Sequence, residues 1–313
     1  MKPDRNRYRG RIAPSPTGLL HVGHARTFWT AYARAREAEG ILVLRNEDLD
    51  PQRSKAEFAH AMVEDLDWLG IDWQEGPDVG GTFGPYLQSE RRGEYLKIWK
   101  ELAARGFLYP CTCSRRELSG IAQAPHESSA SGAKLQFEGD DHPSEQVRRG
   151  PRGDEGPMYP GTCRAKGGPD LLERRESPAG VNWRFRVPDG EVVAFEDGNF
   201  GPQRFVAGED FGDFPVWRRD DVPAYQLAVV ADDHAMEISE VVRGADLLLS
   251  TARQILLYRA LGWGEPRWYH CALVVDERGE RLAKRHDALA IRTLREQGRT
   301  REEVLGLRAD PGD

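Results

Sequence analysis

The chain has 313 residues, 39% of them apolar, with a formal net charge of −7, a pI of about 5.7 and a mean hydropathy of −0.64. That length holds one catalytic core with a smaller subdomain and excludes several large domains. No apolar run reaches the roughly 20 residues of a membrane span, the N-terminus is charged rather than signal-like, and the four cysteines form no secreted disulfide framework, so a cytoplasmic enzyme is expected.

The first third alternates strand and helix. Tyr8–Ala13 reads as a short strand, and Ala25, Phe28, Trp29 and Tyr32 then recur at helical spacing until Gly40. Ile41–Leu44 is a continuous apolar run, as a strand buried on both faces requires. Ser54 and Glu57 have the spacing of a capping box for a helix carrying Phe58, Met62, Leu66 and Leu69. A further helix holds Tyr95, Ile98, Trp99 and Leu102 and stops at Gly106. This rhythm implies a parallel sheet with right-handed crossovers.

Residues 119–157 are rich in Gly, Pro, Ser, Asp and Glu and are expected to form a flexible loop. Val181, Trp183, Phe185 and Val187 alternate with polar residues, the pattern of a half-buried antiparallel strand. Ala224–Val230 and Met236–Val242 have the character of buried strands. Thr251 and Gln254 open a helix bearing Ile255, Tyr258 and Leu261, and Cys271–Val275 is a last strand.

Chemistry concentrates first in Arg11–His24, RIAPSPTGLLHVGH, where a strand enters a Pro/Gly-rich turn and then a helix beginning near Gly23. Such a junction aims main-chain N–H groups and a positive helix end at an anion. His21 and His24 stand beside it, and imidazoles donate to phosphate oxygens without burying a permanent charge. Gly23 permits close approach of a nucleotide. Near the other end, Arg281-Leu-Ala-Lys-Arg285 is a basic segment that could bring Lys284 to the same phosphates.

Taken together, these two segments resemble the HxGH and KMSKS elements of class I aminoacyl-tRNA synthetases. NEDLDPQR at Asn46–Arg53, AYQLAVVADDH at Ala224–His234 and EVVRGADLL at Glu240–Leu248 narrow the resemblance to the glutamyl branch, over roughly Tyr8–Arg285. The resemblance implies an α/β fold: a Rossmann-like catalytic domain carrying a small inserted zinc-binding α+β subdomain. The expected boundaries are 1–108 and 201–290 for the catalytic halves, 109–200 for the insertion and 291–313 for a short polar tail. It implies ATP-dependent activation of L-glutamate, with His21, His24 and Lys284 as catalytic residues. ATP is expected on His21, Gly23, His24 and Lys284, with magnesium on its phosphates.

The amino-acid site that the resemblance implies comprises Arg11, Ile12, Ala13, Pro14, Ser15, Glu47, Tyr225 and Arg243. Arginine forks suit the two carboxylates of glutamate, Glu47 suits its ammonium, and Tyr225 offers a hydroxyl. Asp232, Asp233 and His234 are expected only in a supporting role. Cys111, Cys113 and Cys163, with Tyr159 at the family's tyrosine position, imply one structural zinc; thiolates suit that ion. The interval between Cys113 and Tyr159 is longer than is usual there, so His126, His142 or water stay open as fourth ligand, as do free thiols with no metal. Cys271 reads as a core residue.

Twenty-eight residues follow Arg285, too few for an anticodon-binding domain with its own core. The chain is therefore similar to the paralogues of this branch that attach glutamate to queuosine in the anticodon of tRNA(Asp), activating it without tRNA. The expected partners are L-glutamate, ATP and the anticodon stem-loop of tRNA(Asp), with the protein a monomer. Three alternatives remain open: a trimmed synthetase charging tRNA(Glu), a non-catalytic glutamate or nucleotide sensor, and a nucleotidyltransferase sharing only the HxGH element. The acidic net charge argues mildly against an RNA partner, and pairs such as Arg115 and Arg116 read as solvated surface charge.

Overall fold

The computed structural model describes residues 7–113, 158–166, 177–274 and 289–306. The loop expected over 119–157, the Lys284 segment, His126 and His142 lie outside them.

Strand β1 (Arg9–Ile12) leads into helix α1 (Val22–Glu37), which returns the chain to β2 (Ile41–Leu44), parallel to β1 with Arg9 opposite Ile41 and Ile12 opposite Leu44. Helix α1 buries Val22, Ala25, Phe28, Ala31 and Ala35, one stripe at three- and four-residue spacing, and places Arg34 and Arg36 at its negative end. Its C-terminal turn departs from the expected form. Glu39 rather than Gly40 takes the left-handed conformation, at φ 48°. Gly40 is required by closeness instead: a Cβ there would lie 2.6 Å from the Tyr8 carbonyl oxygen.

Helix α2 (Ala56–Trp68) starts later than the capping box predicts. Its N-cap is Lys55, with no side-chain cap, while the Ser54 N–H closes a turn onto the Asp50 carbonyl. The Ser54–Glu57 pair thus sits one register early. A 3-10 turn (Gln88–Arg91) precedes α3 (Arg92–Ala104), and Gly106 ends that helix at φ 78°.

Strand β3 (Leu108–Cys111) pairs antiparallel with β4 (Asn182–Phe185), and β4 with β7 (Phe214–Trp217). β5 (Val192–Asp197) and β6 (Gly201–Val206) form a hairpin whose turn contains the boundary expected at 200/201. Next comes helix α4 (Tyr225–Ala235), which corrects the buried strand expected at Ala224–Val230. Every residue from Gln226 to Asp233 is buried, so the segment shows no amphipathic stripe, and an all-round buried helix cannot be told from a buried strand by periodicity.

β8 (Glu240–Gly244) follows, then a 3-10 turn (Ala245–Leu247), helix α5 (Leu248–Leu261) and β9 (Arg267–Cys271), parallel to β8. β9 ends where a strand over Cys271–Val275 was expected to begin. The order β6-β5-β9-β8 makes one sheet, and the Ser239 N–H donates to the Arg9 carbonyl at 2.9 Å to join its edge to β1. Residues 291–306, expected as part of a polar tail, instead form helices α6 (Ile291–Glu296) and α7 (Arg301–Gly306). Ile291, Leu294 and Val304 join the core that holds Ile12, Phe28, Leu44 and Leu66. A second core gathers Trp99, Trp183, Phe185 and Trp217. Among the described residues no helix is long and apolar enough to cross a membrane.

Candidate active site

The C-terminal ends of β1, β2 and β8 and the N-termini of α1 and α4 converge on a cleft of about 560 Å³. In a mainly parallel α/β arrangement this is where ligands bind. Arg11, Ala13, Pro14, Ser15, His21, Gly23, His24, Glu47, Tyr225 and Arg243 all line it. Ile12 does not. Its side chain is wholly buried in the core on the other face of β1, and its carbonyl accepts the Arg45 N–H at 2.9 Å. The Lys284 segment is outside the described residues, but the chain leaves at Val274 and returns at Leu289, and both line this cleft.

At the α1 end of the cleft, His21 is the N-cap of α1. Its Nδ1 accepts from the Gly23 N–H at 3.1 Å, while Nδ1 of His24 accepts from the His21 N–H at 3.2 Å. The rings stack with centroids 3.8 Å apart. Because each Nδ1 accepts a main-chain N–H, we assign the proton of each ring to Nε2. Burial, with His21 adding to it, pulls His24 down to about 3, so its imidazole stays neutral. Gly23 has a purpose beyond nucleotide approach: a Cβ there would press on the His21 ring at 3.1 Å.

At the other end, guanidinium and carboxylate groups interlock. Arg11 donates to the Val242 carbonyl at 2.7 Å, with its Nε 3.4 Å from Asp233. Arg45, fully buried, donates to Asp233 at 2.6 Å and to Glu47 at 3.0 Å. Burial raises the Glu47 carboxyl, and Arg45 opposes it. Asp232 accepts from Gln88, Arg91 and the Tyr95 hydroxyl. Its role and that of Asp233 are structural anchors for the cleft wall.

Arg243 is 4% exposed. Its Nε donates to His270 Nε2 at 3.2 Å and its Nη2 to Thr251 Oγ1 at 2.7 Å, whereas Nη1 has no hydrogen-bond partner among the described residues. Burial, then nearby Arg11, lowers Arg243 below the usual guanidinium range, while Tyr225 raises it. Tyr225, first residue of α4, is 39% exposed at the mouth.

Arg45, Thr251 and His270 were not anticipated from the sequence. The signal for Arg45 is a cation directly following the apolar run of β2; His270 and Thr251 carry no comparable pattern.

The cleft opens into a larger basin of about 900 Å³, sharing Ser15, Thr17, Glu47 and Tyr225 with it. Arg53, Arg184, Arg218 and Arg219 line this basin, which reaches Cys111–Cys113. There the sulfurs of Cys111, Cys113 and Cys163 lie within 4.8 Å of one another. Cys113 and Cys163 are 3.6 Å apart, and the Tyr159 hydroxyl is 3.5 Å from Cys111 and 3.8 Å from Cys113. Four ligands around a tetrahedral ion with metal–sulfur bonds near 2.3 Å would stand about 3.8 Å apart, so this donor set fits a metal ion. Burial opposes ionisation of Cys163, yet hydrogen bonds from the Thr112 main chain, Tyr159 and Cys113 bring it down to about 6.

A family model described as "tRNA synthetases class I (E and Q), catalytic domain" matches residues 7–308. The chain is 45% identical over 301 residues to a glutamyl-Q tRNA(Asp) synthetase of Nitratidesulfovibrio vulgaris, covering 96% of this chain and 85% of that protein. It is 46% identical over 297 residues to a glutamyl-Q tRNA(Asp) synthetase of Symbiobacterium thermophilum, covering 95% and 84%. Among solved structures, a glutamate tRNA ligase of Elizabethkingia meningosepticum, in complex with its amino acid, superposes with a TM-score of 0.70 at 27% identity. That match covers 89% of this chain and 52% of the ligase, about half the ligase's length.

Proposed function

The chain belongs to the catalytic-domain family of class I glutamyl- and glutaminyl-tRNA synthetases, and from that membership we propose that it activates L-glutamate with ATP and transfers it to queuosine in the anticodon of tRNA(Asp). The observation that carries the reading is the single cleft that sets Arg11, Arg243, Glu47 and Tyr225 beside the histidine-capped N-terminus of α1. The first set complements two carboxylates and an ammonium. The second complements phosphates.

In the first step an α-carboxylate oxygen of glutamate bonds to the α-phosphorus of ATP, and the bond to the β-phosphate oxygen breaks, releasing pyrophosphate. His21 and His24 donate to phosphate oxygens through Nε2, and Lys284 neutralises charge on the leaving group. ATP is used with magnesium, which supplies charge neutralisation when bound. In the second step a hydroxyl of the acceptor bonds to the adenylate carbonyl carbon, AMP leaves, and the hydroxyl proton is lost to solvent or to the phosphate. Catalysis is mainly positioning and electrostatic stabilisation. The arginine-lined basin next to Tyr225 is the route for the RNA. Cys111, Cys113, Cys163 and Tyr159 would hold a structural zinc at its far wall.

Queuosine is favoured as acceptor because the two relatives named for that reaction are matched over 85% and 84% of their own length. The test offers labelled glutamate and ATP with tRNA(Asp) from cells that make queuosine and from cells that cannot. Charging is expected only of the queuosine-containing pool, surviving removal of the 3′-terminal adenosine. Charging of tRNA(Glu) at its 3′ end would replace this reading with that of an ordinary glutamate ligase.

A further inference from the structure

Behind Arg243 lies a buried chain of polar groups that none of the substrate roles above uses. Asp197, at the end of β5, is 2% exposed and His270, on β9, is 0% exposed. Asp197 Oδ2 stands 2.6 Å from His270 Nδ1. The other oxygen, Oδ1, accepts the main-chain N–H groups of Asn199 at 3.1 Å and Phe200 at 2.9 Å. On its far side, His270 Nε2 meets Arg243 Nε at 3.2 Å and Thr251 Oγ1 at 3.1 Å.

The chemistry of these atoms fixes the protons. A carboxylate accepts only, so His270 gives its Nδ1 proton to Asp197 and keeps a lone pair on Nε2. That lone pair can accept the Nε–H of Arg243, which has no other partner among the described residues. One edge of the guanidinium is thereby held by His270 and Thr251. Nη1, buried and without a hydrogen-bond partner among the described residues, is the guanidinium nitrogen still able to take up a carboxylate, and Arg243 is one of the residues lining the cleft.

We propose that Asp197 and His270 are positioning residues for glutamate: they set the tautomer that fixes the Arg243 guanidinium and so present its Nη1 edge to a substrate carboxylate. The proposal rests on the glutamate reading of the cleft. An arginine on free rotors loses side-chain entropy with each ligand it binds, whereas one already held on one edge has lost most of it beforehand. All three residues sit on strands of one sheet, which suits a rigid support.

Asp197→Asn separates this role from simple packing. The amide matches the carboxylate in shape, and its oxygen is retained by the N–H groups of Asn199 and Phe200. Its NH₂ must then face His270 Nδ1, which drives the ring proton to Nε2 and sets two donors against each other at Arg243. In glutamate-dependent pyrophosphate exchange, this variant should raise the KM for glutamate roughly ten- to a hundredfold, the scale of losing one hydrogen bond to a charged group. The KM for ATP should stay within about twofold. His270→Gln, whose amide oxygen falls near the Nε2 position, should retain most glutamate affinity, and His270→Leu should lose it.

The deciding measurement is a double-mutant cycle with Arg243→Lys, which removes the Nε–H. Asp197→Asn should then add less than about a twofold change. An unchanged glutamate KM in Asp197→Asn, or the same penalty with Lys present at 243, overturns the proposal while leaving the glutamate reading in place. Absence of glutamate-dependent exchange in the unmodified enzyme overturns that reading, and this proposal with it.

Discussion

Arg45 donates to Asp233 across 2.6 Å, from just past the end of β2 to the last turn of α4, with neither side chain more than 1% exposed. The same guanidinium reaches Glu47 at 3.0 Å, so a single buried cation ties one proposed ammonium-binding carboxylate to the helix that carries Tyr225. Removing one partner of such a group leaves uncompensated charge in the interior. Arg45→Met should therefore lower unfolding stability by about 3–5 kcal/mol in chemical denaturation. Arg45→Lys should recover little of it, because one ammonium cannot serve both directions of the planar fork. A loss below about 1 kcal/mol in Arg45→Met would show that the carboxylates find other partners.

Adenylation should proceed without RNA. Purified protein is expected to exchange labelled pyrophosphate into ATP when glutamate is supplied. His21→Ala and Lys284→Ala should each slow that exchange on the order of a hundredfold, the scale of losing one transition-state donor. Normal exchange in both variants would move the phosphate site elsewhere.

Acid sensitivity should follow from two neutral histidines. His24 is brought to about 3 and His270 to about 4, both chiefly by burial, against about 6.5 for an unfolded histidine. The unfolded chain therefore binds more protons than the folded one between those values. Stability present above pH 6.5 is lost as pH falls toward 4, by at most about 1.4 kcal/mol per pH unit for each ring. Asp65 acts the other way: burial lifts it to about 6, so the folded state gains over the unfolded one as it takes up a proton. Urea midpoints should fall from pH 7 to pH 5, and the fall should shrink in His270→Gln. An equal fall in that variant would assign the effect to other groups.

About one zinc per chain should accompany the purified protein, and Cys113→Ser should lose it together with local stability. Metal analysis of wild-type protein prepared without chelators checks this. A metal-free preparation with three titratable thiols would leave the cluster as packed free cysteines.

What the sequence disclosed depended on whether chemistry was local. Helix α1 was legible because Ala25 and Phe28 recur on one buried stripe and His21 sits where a cap must be. Helix α4 was not, because its burial on every side erases the stripe; only the adjacent buried acids Asp232 and Asp233 hint at an interior helix holding cations. Ser54 has the composition of a cap but spends its main-chain N–H on a preceding turn. The pair Asp197 and His270, 73 residues apart, has no spacing to read, since only sheet order brings β5 beside β9. The cleft residues are legible because they cluster in a few contiguous motifs, and Ile12, within one of them, turns its side chain into the core.

Cys113 and Tyr159 meet although the chain between them is 45 residues long. A clasp of this kind makes the intervening length nearly irrelevant to the rest of the molecule. Each doubling of a flexible loop costs only about 0.6 kcal/mol in closure entropy. The wall beside the basin is thus held by side chains that meet directly at 113 and 159, whatever number of residues separates them along the chain.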